Sequence, residues 1–190
     1  MPKPKKISYR LITKEDSRYA GMHRILSDLV HEHHSHLRDA RIALAWHAGW
    51  KADVDGRVKL GMCRKASDLD RQLTNFDFII LLNKLFWTSL EVTDEQRKAL
   101  LDHELCHAEV KLDAAGDPAL DELGNIVYRT RKHDIEEFSA IVERHGLWKH
   151  DLEQFYAAIR RGPTLFDDDK SQKAKSRKRQ DPEAEQPTAH

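Results

Sequence analysis

The run Thr93-Asp94-Glu95-Gln96-Arg97-Lys98-Ala99-Leu100-Leu101-Asp102-His103-Glu104-Leu105-Cys106-His107 decides the fold. Thr93 offers a hydroxyl at a cap position, acids follow in the first turn, and Gln96 stands three residues on. This is a capping-box pattern that satisfies the free N–H groups of a helix start. Leu100, Leu101, Leu105 and Val110 then supply one apolar side. The spacing predicts a half-buried helix from Asp94 to about Lys111, with Gly116-Asp117-Pro118 beyond its end.

Upstream, the stretch from Asn75 to Leu82 is the strongest strand signal, dense in Phe and Ile. Residues 41–48 read as another strand, with Ile42, Leu44 and Trp46 on one face. Val58, Leu60 and Met62 alternate in 57–65, a third strand expected to pair with 41–48 across the turn Asp53-Val54-Asp55-Gly56. Residues 17–40 carry Met22, Ile25, Leu26, Leu29 and Val30 at helical spacing. Downstream, 125–129 reads as a short strand, 134–145 as a helix capped by Gly146, and 149–160 as a last helix. This order indicates an α+β domain over 17–162. It is flanked by a basic arm at 1–16 and a charged tail at 163–190, where apolar content collapses and disorder is expected.

The 190 residues carry no formal net charge, so no whole-protein field draws the chain toward nucleic acid or membrane. The two cysteines, Cys63 and Cys106, form no C-x-x-C pair and no disulfide framework, which fits a reducing compartment. Apolar runs such as Phe78–Leu82 are too short to span a bilayer, and no apolar segment follows the basic Met1–Lys6. The expected location is the cytoplasm, with no membrane partner.

The chemistry lies in His103-Glu104-Leu105-Cys106-His107. Four residues on a helix rotate by about 40° net, so both imidazoles leave one face, and two such nitrogens suit a tetrahedral zinc ion. Glu104 beside them can take a proton from a water that the metal activates. A competing reading is a helix with two surface histidines and an ordinary glutamate. The independent capping box and the apolar flanks speak against it. A third ligand is expected in Lys132-His133-Asp134-Ile135-Glu136-Glu137-Phe138. His133 is favoured, on a loop just before a helix, with Glu137 and Glu136 as alternatives. Asp134 as a cap with Glu137 three residues on would give Glu137 a structural role instead. Cys106, three residues after His103, offers a ligand in principle but reads first as a small packed residue.

Three further features are weighed more plainly. His31-Glu32-His33-His34-Ser35-His36 reads as the polar end of a helix rather than a metal site. Trp46, Trp50, Trp87 and Trp148 read as core or cleft wall. The basic run at 170–179 reads as a solubilising tail. Its alternative is a sequence-independent grip on phosphate backbones, which would make the chain a nucleic-acid-associated protein with a structural metal.

Asp102–His107, His133–Phe138 and Arg144-His145-Gly146 together resemble the metallopeptidases of phages and prophages, over residues 40–160. More distantly they resemble the SprT-like zincins, which place a third His just before a helix bearing an aromatic residue and a later Gly. Phe138 follows His133 by five positions, where the SprT-like pattern has four. The resemblance implies a minimal zincin fold: a small, twisted, mostly antiparallel sheet whose edge strand borders the cleft, with the active helix packed beneath. It makes Phe76–Leu82 the strand beside the substrate, and it implies a zinc cofactor, a protein or peptide substrate and the host-cell cytoplasm.

Overall fold

The computed structural model describes residues 9–163, in two compact units divided between His133 and Asp134. The expected tail at 163–190 and the start of the expected arm lie almost wholly outside the described residues.

The first unit is built on a four-stranded sheet of β1 (Tyr9–Ile12), β2 (Ile42–His47), β3 (Gly61–Lys65) and β4 (Phe78–Asn83), in the order β1-β2-β4-β3. β1 pairs antiparallel to β2, β2 parallel to β4, and β4 antiparallel to β3. β1 falls within 1–16, so part of the segment read as an arm belongs to the sheet. Two sequence expectations change. The strand near residue 60 pairs with β4, not with β2, and β4 is an interior strand rather than the edge. The cause is burial. β4 is almost continuously buried, which suits a strand with neighbours on both sides, whereas β3 is only half-buried and takes the rim.

Helix α1 (Ala20–Glu32) buries Met22, Leu26 and Leu29. The same core holds Leu44, Phe78, Ile80, Leu101 and Leu105. Two short helices flank β4. α2 (Asp68–Thr74) opens on a Ser67/Asp70 capping box, and α3 (Lys84–Trp87) is capped by Asn83. The start of the β2–β4 pair is tied by Asp77, which is 2% exposed. Its carboxylate accepts from the Arg41 backbone N–H and Nε at 2.9 Å each and Nη2 at 3.0 Å, and it pairs with Arg71 Nε at 3.1 Å.

Helix α4 (Asp94–Cys106) starts as its sequence predicts. The Thr93 hydroxyl accepts from the Gln96 N–H at 3.2 Å, and the Gln96 side chain accepts from the Thr93 N–H at 2.9 Å. It ends earlier than expected. His107 is its C-cap, and Ala108–Val110 form β5, antiparallel to β6 (Tyr128–Thr130). Ala108 and Val110 are buried on either side of half-buried Glu109. That period-two burial is open to a strand and closed to a helix. Between the two strands, Asp113 and Asp121 each fold the chain back through side-chain acceptance of the N–H groups two and four residues on.

The second unit contains α5 (Ser139–His145) and α6 (His150–Arg161). α5 begins five residues later than Asp134, with Phe138 at its N-cap and Gly146 (φ 66°) at its C-cap. The Asp134/Glu137 capping box does not form. Glu137 Oε1 instead accepts from the Phe138 N–H at 2.9 Å, and its carboxylate meets Lys149 Nζ at 3.3 Å. No helix among the described residues is long and apolar enough to cross a membrane.

Candidate metal centre

His103 and His107 occupy the last turn of α4, with ring centroids 5.1 Å apart. The hairpin of β5 and β6 brings a third imidazole to them. Beyond the Ala108↔Thr130 pair, Arg131 and His107 bond twice: the Arg131 N–H donates to the His107 carbonyl, and His107 Nδ1 donates to the Arg131 carbonyl, both at 2.8 Å. The chain leaves β6 pinned to the end of α4, and His133 arrives two residues later. Its ring lies 5.1 Å from that of His103 and 4.5 Å from that of His107.

One donor nitrogen from each of His103, His107 and His133 lies within 4.8 Å of the others. His103 Nε2 and His133 Nε2 are 3.2 Å apart. Two imidazoles on one tetrahedral zinc stand about 3.3 Å apart at their nitrogens, given bonds of about 2.0–2.1 Å. The donor set therefore fits such an ion. The carbonyl of Arg131 fixes His107 with its proton on Nδ1, so the Nε2 lone pair is the one left to bind. Burial and the neighbouring imidazoles push the pKa of His103 down and favour the neutral form that a metal needs.

Glu104, the residue after His103, fills the seam between α4 and β3 and lies near enough to His107 to interact with it electrostatically. It is 3% exposed, and its Oε2 has no hydrogen-bond partner. Burial raises its pKa, against the pull of His107, a hydrogen bond from the Cys63 backbone N–H and the charge of Lys59. The seam is closed by Gly61. A Cβ there would sit 2.3 Å from Glu104 Oε1, so the carboxylate occupies space that any side chain on Gly61 would take. Cys63, on the same strand, has its thiol pushed up to about 12 by burial and by Glu104, which leaves it unreactive. Asn83 steadies the approach to β3: its Nδ2 donates to the Lys59 carbonyl at 3.0 Å.

Of the residues proposed from sequence, His103, His107 and His133 converge. Glu137 is engaged by Phe138 and Lys149, and Glu136 is exposed. Gly61, Cys63 and the Arg131 carbonyl were not singled out. A glycine inside a strand was the available signal for the first, since such a glycine marks a close approach. Trp46 and Trp87 are core residues, Trp50 stacks on His47 with centroids at 4.3 Å, and Trp148 is 56% exposed.

Comparison with known protein families matches residues 18–156 to the family described as "Putative phage metallopeptidase". No curated protein and no solved structure gives a significant match. The match covers well over half of the chain, which therefore belongs to this phage metallopeptidase family.

Proposed function

We propose that the chain is a zinc-dependent peptidase of zincin type. His103, His107 and His133 hold the metal, and Glu104 is the general base. The observation that carries this reading is one helix end presenting converged imidazoles beside a buried carboxylate with an unpartnered oxygen. A bound zinc supplies Lewis acidity, which lowers the pKa of a water and polarises a carbonyl. Everything else is done by the chain. Glu104 Oε2 takes the proton from the attacking water, and its raised pKa makes it a stronger acceptor than an ordinary glutamate. The same oxygen then returns the proton to the leaving amine. Gly61 and the Cys63 N–H hold the carboxylate in place meanwhile. In this reading the strand beside the substrate is β3, the free rim of the sheet, whose face carries Gly61 and Cys63 against Glu104.

The alternative, a nucleic-acid-associated protein with a structural metal, draws on the basic run 170–179, which lies outside the described residues. The fold adds no observation in its favour. The deciding experiment pairs zinc analysis with hydrolysis of a denatured protein substrate by Glu104→Gln. The peptidase reading expects full zinc and a loss of activity; unchanged activity would contradict it.

A further inference from the structure

Helix α4 carries two donor pairs at i, i+4 spacing, not one. Asp102 and Cys106 stand one residue ahead of His103 and His107, so they leave the helix about 100° away around its axis. The first pair is completed by His133 arriving from β6. The second is completed by His34, just past the end of α1, inside the histidine-rich stretch that reads from sequence as the polar end of a helix. His34 is 6% exposed, and its Nε2 lies 2.6 Å from Asp102 Oδ1. One donor atom from each of His34, Asp102 and Cys106 lies within 4.8 Å of the others.

We propose that His34, Asp102 and Cys106 form a second metal site that takes zinc or a similar borderline cation and clamps the end of α1 to α4. A hydrogen bond between His34 and Asp102 would by itself tie the two helices together. The third donor at that point is a thiol, since Cys106 is exposed rather than the packed residue its sequence suggests. Nitrogen, oxygen and sulfur donors together select zinc, cobalt or cadmium over magnesium or calcium. The spacing suits the exchange. Ligand atoms on one zinc stand about 3.3–3.8 Å apart, so the 2.6 Å contact opens by about 1 Å as the metal replaces its proton, which Nε2 gives up to solvent while Nδ1 takes one and the imidazole stays neutral. Cys106 binds as thiolate and releases its proton to solvent. Asp102, whose side chain is 40% exposed, leaves a side open to solvent for a fourth ligand. Two donors come from the active helix and one from the chain just after α1, so the site fixes the helix that carries Glu104 without contributing to hydrolysis.

The test is titration of the metal-free 190-residue chain with Co(II), read by bound metal and by the near-ultraviolet thiolate-to-cobalt charge-transfer band. A site of three histidines gives no such band. The expected wild-type result is two equivalents with the band present. Cys106→Ser should lose the band and one equivalent, and His34→Gln should do the same, whereas His103→Ala should lose the other equivalent and keep the band. A wild type without the band overturns the second site, as does a band that survives Cys106→Ser, which would assign the thiolate to Cys63. One equivalent with the band, unaffected by His103→Ala, would keep the second site and remove the first, so the two proposals fail separately.

Discussion

Two buried carboxylates sit at opposite ends of β-strand neighbours and are treated in opposite ways. Asp77, between β2 and β4, is saturated: two arginines and a backbone N–H cover both oxygens. Glu104, between α4 and β3, is as deeply buried, yet one oxygen has no partner. Burial alone would raise both pKa values. At Asp77 the hydrogen bonds and charges of Arg41 and Arg71 overcome it and hold the carboxyl below its ordinary range, whereas at Glu104 burial prevails. A buried charge that is fully compensated is a structural device, and one left partly uncompensated is a functional candidate.

The comparison breaks most visibly at Glu104. Glu104→Gln is expected to lower kcat by about 10²–10⁴-fold, the usual range for a lost general base. The same variant should leave the thermal midpoint of the metal-free protein unchanged or higher, because a buried ionised group with a raised pKa opposes folding at neutral pH. A large drop in the midpoint would show that Glu104 is a structural residue like Asp77.

Asp77→Asn should do the reverse, costing about 2–3 kcal/mol in denaturant unfolding, because it removes the charge and replaces one of the two oxygens that accept from Arg41 and Arg71 with a donor. Specific activity per folded molecule should not change. Next comes Gly61→Ala. The added Cβ must displace Glu104, and misplacement of a catalytic group by about 1 Å can cost 10²-fold. Activity should fall by about 10–100-fold with zinc content intact; loss of zinc instead would place the strain on the histidines. The smallest effect is acid stability. The depressed Asp77 pKa contributes stability that is complete above its unfolded value of about 3.9 and is lost as pH falls through the lower folded value. Asp77→Asn should therefore flatten the stability profile below about pH 4, measured by urea unfolding across pH.

How much of this the sequence discloses depends on whether the signal is local. The start of α4 was legible because Thr93 and Gln96 cap it within four residues. Its buried side was legible from Leu101 and Leu105, both fully buried. The end of α4 was not, because Ala108 and Val110 extend an apolar pattern that only pairing with residues 128–130 resolves as strand. Nor was the Asp134-to-Glu137 pattern decisive, since Lys149 and the Phe138 N–H compete for the same carboxylate. The Ser67/Asp70 box of α2 is a local signal of the same kind, with the cap and its acid three residues apart. At the site, His103, Glu104 and His107 announce themselves by spacing. His133 reaches them through the return of β6, and Gly61 meets Glu104 only because β3, not β4, is the rim.

The central claim is that three histidines hold the catalytic metal, and zinc content by elemental analysis tests it most directly. Wild type, His103→Ala, His133→Ala and Glu137→Ala would be compared after purification with zinc. The account predicts that His103→Ala and His133→Ala each lose one zinc per chain relative to wild type, while Glu137→Ala loses none. Full zinc in His133→Ala, or its loss in Glu137→Ala, would contradict it.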